Sequence, residues 1–561
     1  VAEDIVDRVD TSPIQLVNLV TTETDAKRYR RNGLWTSDTL SGRVADLARG
    51  DRRKDAAVID LLGQRTRSYA DLALDAAKVA AALTAGGVCA GGVVSVQLPN
   101  TYDAVVVAVA VNALGAVINP LLPNYRGHEL RHVFRTAHPQ AVVTPAIYRD
   151  YDHLALIAEV AAETNVRPLH LVADAEIGGD VRLRDILATS DAPDLPIGGT
   201  GDMASAVSEL IFTSGTEATP KAIMHTEETA NFAVRATFED LGVASGDVVW
   251  MPSPVGHSTG FNYGIRAALY HGLPLVLQDR WNADEARALI AAHGCSYTLA
   301  ATTFLDDLVS ACESAGTTLP SLTHFGCGGA PVPASLVDRA EAVGIRVLRL
   351  YGSTEVLCAT WNRRDSPLDK RRSTDGFALQ HTDIEVRDED GRTLTAAGAE
   401  PVTGELHTRG PNTSVGFFAD PERTAATYLS GGWVKSGDLV RLDADGYLTV
   451  VGRKKEIIIR GGINIAPREI EDLISTLPEV RQVAVVGVPD DRLGERCCAC
   501  VVLHDGQHLD FPQLVERLRA TGMATYKLPE RLEILAALPT TASGKVQKHV
   551  ILQQLMGTAT Q

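Results

Sequence analysis

The chain has 561 residues, 45% of them hydrophobic and 22% charged, which excludes a disordered or collagen-like polymer and leaves room for several cores at ~150 residues per domain. Lys and Arg number 53 against 70 Asp and Glu, a formal charge of −17, so the surface as a whole repels a phosphate backbone and argues against a general nucleic-acid binder, while a local basic pocket for a nucleotide stays open. Eight cysteines are too sparse for a disulfide framework and fit a reduced, cytoplasmic setting.

The first residues, Val1 to Asp7, are acidic and lack the basic start of a signal peptide. Residues 1 to about 200 read as helices alternating with short apolar strands, among them 93–98 and 141–144. The longest apolar stretch, 105–122, is interrupted by Asn112, Gly115, Asn119 and Pro120. It reads as a buried helix followed by a strand, so no integral membrane contact is expected. The alternation recurs from about 205 to 355, where 210–212 and 347–351 are strands running into Gly/Ser/Thr-rich turns. From about 380 to 451 the chain is β-rich, with turns at Asp390-Gly391 and Asp445-Gly446.

A boundary is expected near Gly452-Arg453-Lys454-Lys455. Beyond it, Pro467 opens a helix with Ile470, Leu473, Ile474 and Leu477 on one face. Strands follow at 482–488 and 497–503, then a helix carrying Leu514, Val515 and Leu518. Cys497, Cys498 and Cys500 resemble a metal cluster only superficially, because they stand in an apolar run and read as a buried strand. The expected fold is α/β. A large multi-subdomain N-terminal body with layered sheets and a β-rich subdomain (1–451) precedes a small mobile α+β C-terminal lid (452–561).

The segment richest in chemistry is Thr213-Ser214-Gly215-Thr216-Glu217-Ala218-Thr219-Pro220-Lys221, directly after a strand. Small hydroxyl residues and a glycine let backbone N–H groups approach phosphate oxygens, and the lysine adds positive charge. It is not a Walker A loop, since GxxxxGK[ST] is missing. Four further segments follow in order: Tyr351-Gly352-Ser353-Thr354-Glu355, Trp433 to Leu439 with Lys435-Ser436-Gly437-Asp438, Gly452 to Gly462, and Ser543-Gly544-Lys545.

In this order the five segments resemble the adenylate-forming superfamily of acyl-CoA synthetases, carrier-loading adenylation domains and luciferases. The likeness is nearest to cyclohexanecarboxylate-CoA ligase-like and aryl or medium-chain acyl-CoA ligases, and it covers nearly the whole chain. It implies that Thr213, Ser214, Gly215, Thr216 and Lys221 hold the β- and γ-phosphates of ATP. Gly328, Gly329 and Ala330 would lie against adenine, with Tyr351 stacked on it beside Gly352. Thr354 would bond the α-phosphate or carboxylate, and Glu355, with Thr216, would hold Mg2+. Asp438, helped by Arg453, would accept from the ribose hydroxyls. Lys455 matches the hinge by register, and Lys545 the lysine that reaches the acyl carboxylate and α-phosphate. The loop departs from the commoner pattern at Glu217 and Ala218. A glutamate among phosphates repels them unless it points away or helps bind the cation. Similar Glu-containing loops occur in the cyclohexanecarboxylate-CoA ligase-like members.

The acid pocket is expected after Met251, with His257 at the position of the family's aromatic-or-His gate and a capping role as its plainer alternative. Phe261, Tyr263 and Gly264 suit a flat or ring-shaped apolar acid, Asn262 could serve a ring hydroxyl, and Cys327 with Gly328 would complete the wall. No acidic residue stands here to bind an α-amine. Aromatic, alicyclic and medium-chain acids all stay open. Gly461 and Gly462 resemble the lid segment that lines a pantetheine tunnel, which implies free CoA as the acceptor. The expected reaction is therefore an AMP-forming acid–CoA ligation using a small carboxylic acid, ATP, Mg2+ and CoA. The alternative is a stand-alone aryl-acid adenylating enzyme that loads a carrier protein. A homodimer is compatible with the sequence.

Overall fold

The computed structural model describes residues 20–60, 65–173, 181–189, 202–213, 220–395, 400–540 and 546–558. Their strands form four main sheets.

A nine-stranded sheet has a parallel centre made of Ala56–Asp60, Leu275–Leu277, Val249–Met251, Tyr297–Ala300, His324–Gly328 and Val347–Ser353. Antiparallel strands close both ends, Arg65–Ser68 at one and Leu357–Trp361 with Phe377–Ala378 at the other. Its central strands are buried on both faces, which is why they read as short continuous apolar runs rather than alternating ones. One face meets Ile290, Leu305, Leu308, Val309 and Val337 from the covering helices. The other meets a larger core shared with the second sheet.

That second sheet has seven strands, with Val93–Val96 at its centre between Val117–Pro120 and Ala141–Thr144. Val207–Thr213 joins it in parallel with Val117–Pro120 and in antiparallel with Lys221–Thr226. The 105–122 stretch resolves as expected into the helix Tyr102–Ala113 and the strand Val117–Pro120, turned by Gly115 at φ +64°. Its helix is buried on every side, consistent with its continuous apolar sequence. Among the described residues no helix is long and apolar enough to cross a membrane.

The β-rich stretch forms a six-stranded sheet around Val402–Arg409 and Trp433–Leu442. Leu448–Arg453 is its last strand in sequence. The chain then passes through a short 3-10 turn, Lys454–Glu456, and enters a five-stranded sheet at Ile458–Arg460. Cys497, Cys498 and Cys500 lie buried in Gly494–Leu503, a strand of that sheet. The helix opened by Pro467 is shorter than its apolar spacing implies. It ends at Ile474, so Ile470 and Ile474 are fully buried on it while Leu477 packs against the same core from the following turn.

Candidate active site

The parallel strands of the nine-stranded sheet release their loops at one edge. Met251 leads to His257, Ala300 to Thr302, Gly328 to Gly329 and Ala330, and Ser353 to Thr354 and Glu355. Ligands of open α/β sheets bind beyond the carboxyl ends of such strands. The second sheet contributes the antiparallel pair Val207–Thr213 and Lys221–Thr226, in which Thr213 and Lys221 face each other. Ser214, Gly215, Thr216, Glu217 and Ala218 lie outside the described residues, as does Lys545.

Thr354, Glu355 and Val356 form a three-residue turn between Val347–Ser353 and Leu357–Trp361. Gly352 is required there, because a Cβ would stand 2.1 Å from the Leu357 carbonyl oxygen. Leu357 itself sits at φ +54°, a left-handed conformation that costs a side-chain-bearing residue ~1 kcal/mol or more. The Glu355 carboxylate lies 3.9 Å from the Lys221 ammonium, and that ammonium also stands over the Phe417 ring.

Asp438 is buried at the six-stranded sheet, paired in register with Arg453 on the neighbouring strand. The Tyr351 hydroxyl donates to its Oδ2 at 2.7 Å, and Arg453 Nε donates to its Oδ1 at 3.0 Å. Burial, and then the Asp438 charge, push the Tyr351 phenol well above its ordinary pKa, so it remains a donor. Burial pulls the Arg453 guanidinium down, but Asp438, Glu456 and Tyr351 more than offset it. Four of the residues singled out from separate motifs thus meet here or nearby: Tyr351, Gly352, Asp438 and Arg453.

On the acid side, His257 caps the short helix Ser258–Gly260, its Nδ1 accepting from the Thr259 backbone N–H at 3.2 Å. The plainer, capping alternative for His257 is therefore present in the structure. Residues Phe261–Arg266 then form a π-helical segment, a wide turn often found at functional sites. Gly264 is needed for close packing, since a Cβ would lie 2.6 Å from Met251 Cγ. Phe261 and Ile265 pack with Leu98, Ile118, Pro120 and Val255 around an apolar void of about 10 Å3, no larger than a single water, so these side chains are core here and not the wall of an open pocket.

Two acid-pocket expectations need correction. Asn262 is fully buried, and its amide is committed: Nδ2 donates to Glu209 Oε2 at 3.0 Å and Oδ1 accepts from Arg266 Nε at 3.0 Å. It holds the segment in place and offers no group to a ring hydroxyl. Cys327 is also fully buried and belongs to the helix-covered core, whereas Phe261 and Tyr263 belong to the opposite one. Strand alternation sends Cys327 to the far face, beside Thr302, and leaves Gly326 and Gly328 on the near one. Burial lifts its thiol to about 12.

Arg266, Glu209 and Glu227 form a charge cluster that the motifs do not single out. Arg266 ion-pairs with both carboxylates, at 2.8 Å to Glu227, and also donates to Asn231. All four are buried. The available signal was a charge inside an apolar run, Glu209 within 207–212 and Arg266 within 264–269.

On the C-terminal side, Gly461 and Gly462 form the exposed turn between Ile458–Arg460 and Ile463–Ile465, both at positive φ (+58° and +82°). Lys455 is exposed in the 3-10 turn.

The family model for AMP-binding enzymes matches residues 47–418, and that for the AMP-binding enzyme C-terminal domain matches 469–545. The chain belongs to the AMP-binding enzyme family. This AMP-binding enzyme is 35% identical over 550 residues to a medium-chain fatty-acid–CoA ligase of Escherichia coli K12, covering 97% of the chain and 95% of the relative. It is 33% identical to a 2-hydroxy-7-methoxy-5-methyl-1-naphthoate–CoA ligase of Streptomyces carzinostaticus, covering 94% and 95%. Among solved structures, ATP-bound MatB from Rhodopseudomonas palustris superimposes with a TM-score of 0.80 at 27% identity, covering 92% of this chain and 99% of that one. Similarity therefore extends through both matched regions, and the enzyme has the adenylate-forming fold.

Proposed function

We propose that the enzyme is an ATP-dependent carboxylate–CoA ligase for an apolar ring or medium-chain acid. An acid carboxylate oxygen attacks the α-phosphorus of ATP, the bond to the β-phosphate oxygen breaks, and pyrophosphate leaves. The CoA sulfur then attacks the acyl carbon, the bond to AMP breaks, and the thiol proton passes to solvent. The observation that carries the choice of acid is the commitment of the Asn262 amide to Glu209 and Arg266, which withdraws the one amide of the Phe261–Gly264 segment from a ring hydroxyl. A buried hydroxyl without a partner there would cost ~1–3 kcal/mol, which disfavours hydroxylated aryl acids. The kinship with CoA ligases supports CoA as the acceptor.

In this reading Thr213, Lys221 and the 214–219 loop receive the β- and γ-phosphates, and Gly328 to Ala330 and Tyr351 border the adenine. Asp438 takes the ribose hydroxyls with the two acceptor sites that Tyr351 and Arg453 leave, a carboxylate having about four. Thr354 bonds the α-phosphate, and Lys545 closes over the acyl carboxylate. His257 borders the acyl channel. The Glu355 oxygen suits Mg2+, a hard cation that commonly takes one or two protein carboxylates plus substrate phosphates. Bound there, Mg2+ would withdraw charge from the phosphate oxygens. The body is 1–451 and the lid 452–561, with the hinge near Lys455, and the eight free cysteines support a cytoplasmic setting.

The test is acid-dependent ATP–pyrophosphate exchange across hexanoate, octanoate, cyclohexanecarboxylate, benzoate and salicylate, followed by thioester assay with CoA. Exchange strongest with the alkyl or alicyclic acids, and a CoA thioester, are expected. A preference for salicylate would overturn the acid class. Transfer only to a carrier protein would overturn the acceptor.

A further inference from the structure

His225 belongs to none of the motifs, yet its side chain reaches the backbone of the turn bearing Thr354 and Glu355. It stands four residues after Lys221 on the strand Lys221–Thr226, so both side chains leave the same face. Lys221 extends to the Glu355 carboxylate, and His225 Nε2 lies 2.7 Å from the Thr354 carbonyl oxygen. A carbonyl only accepts, so Nε2 carries the proton. Nδ1, unprotonated, then faces the Thr229 hydroxyl 3.1 Å away in the first turn of Glu227–Leu241, and the one proton of that hydroxyl is shared between Nδ1 and the Thr226 carbonyl. The imidazole is completely buried.

The rest of the turn is pinned in the same manner. The Ser414 N–H donates to the Glu355 carbonyl at 2.8 Å, and Asn412 Nδ2 donates to the Val356 and Cys358 carbonyls at 2.8 Å each. Three consecutive carbonyls are thus gripped from outside, immediately before Leu357 in its strained conformation. A turn whose native shape is locally unfavourable persists only where its surroundings over-determine it. Two of the three grips come from the 412–414 segment. Only His225 comes from the strand that also carries Lys221, and so it sets the turn relative to the phosphate side of the site.

We infer that His225 is a positioning residue for adenylation: its Nε2–H bond to the Thr354 carbonyl holds the Thr354 hydroxyl and the Glu355 carboxylate in register with Lys221. The inference rests on the reading of Thr354 and Glu355 as the α-phosphate and Mg2+ contacts. It reaches beyond that reading by naming the group that orients them.

The experiment compares His225→Leu, His225→Asn and His225→Gln with the unaltered enzyme. Leu has no donor, and Asn is too short to reach the carbonyl. Gln places an amide N–H near the Nε2 position. Leu and Asn should lower kcat for acid-dependent ATP–pyrophosphate exchange about 10–100-fold, the usual effect of losing an outer-shell partner, with the acid KM within about twofold of normal. Calorimetric binding of ATP should weaken by about tenfold in the presence of Mg2+ and by less in EDTA, where only the Thr354 contact is lost. Thioester formation from supplied acyl-AMP should be spared, and Gln should recover most of the loss. Wild-type exchange in the Leu and Asn variants would overturn the inference, as would equal loss in both half-reactions or a Gln variant no better than Asn. If Leu proves insoluble, the contrast between Asn and Gln decides. If the unaltered enzyme shows no acid-dependent exchange, the functional reading fails, while the Mg2+-dependent part of ATP binding still judges His225.

Discussion

Tyr351 and Asp438 come from sheets that the chain builds almost ninety residues apart, and the phenol of one donates to the carboxylate of the other at 2.7 Å. Arg453 closes the opposite side of that carboxylate. The pair fixes where Asp438 points before any nucleotide arrives, so its remaining acceptor sites are oriented without further ordering cost.

Asp438→Ala should therefore raise the KM for ATP about 10–100-fold, since hydrogen bonds to a charged acceptor contribute about 1.5–3 kcal/mol. Tyr351→Phe keeps the ring and removes only the aiming bond, so it should raise that KM by less. Steady-state exchange assays at varied ATP check both. An unchanged KM in Asp438→Ala would move the ribose site elsewhere.

Arg266 is one cation shared by Glu209 and Glu227 in the interior. Arg266→Met should destabilise the enzyme by about 3–5 kcal/mol, because it leaves two buried carboxylates without their counter-ion. Adding Glu227→Gln should recover part of the loss by removing one of those charges. Thermal melts of the single and double variants measure it, and additive losses would show that the three groups do not act as a unit.

His271 stacks on Phe238 with ring centroids 4.7 Å apart, and its Nε2 has no hydrogen-bond partner. Burial, aided by Arg43 and Arg235, lowers its pKa from 6.5 to about 4. The unfolded chain then binds a proton that the folded one refuses, so stability is full above pH 6.5 and falls as the pH drops toward 4. The loss from this group approaches about 3 kcal/mol at the bottom of that window. His271→Phe should flatten the decline of Tm between pH 6.5 and 5. An identical decline in the variant would assign the acid limb to other groups.

The fold and the reaction class were legible in the sequence for one physical reason. Strand-end loops that must approach phosphates carry small residues and lone charges at fixed places, as in Thr213 to Lys221 and Tyr351 to Glu355. The acid pocket was less legible. Asn262 and Cys327 stand at suitable positions in the chain, but a π-helical turn commits the first to Arg266 and strand alternation hides the second. Arg266 stands only four residues from Asn262, but the commitment also depends on Glu209, 53 residues earlier, and which face of the strand Cys327 takes depends on the helices that cover it. His225 escaped notice for the same reason, since its meaning depends on Thr354, 129 residues away.

The last prediction concerns Lys455. Lys545 and Gly461-Gly462 both lie C-terminal to it and are assigned to different steps, adenylation and thioester formation. On the proposed reading one small site does not receive both at once, so the lid is expected to turn between steps, with a change of backbone torsion where body meets lid. The neighbours of Lys455 mark that place. Lys454 is ion-paired at 3.1 Å with Glu405 of the six-stranded sheet. Glu456 is paired at 3.0 Å with Lys548 of the C-terminal helix, and Lys548 also holds Glu471. Lys455 thus stands between one residue tied to the body and one tied to the lid. It lies in a 3-10 turn, whose φ of about −50 to −70° is the range that proline fixes. Lys455→Pro is expected to fix the lid in the adenylating arrangement, leaving acid-dependent pyrophosphate release largely intact and blocking CoA-dependent consumption of acyl-AMP. Measuring the two half-reactions separately decides the matter. Wild-type rates in both would mean that the lid does not turn at this residue, and equal loss in both would mean that proline damages the fold instead of stopping a rotation.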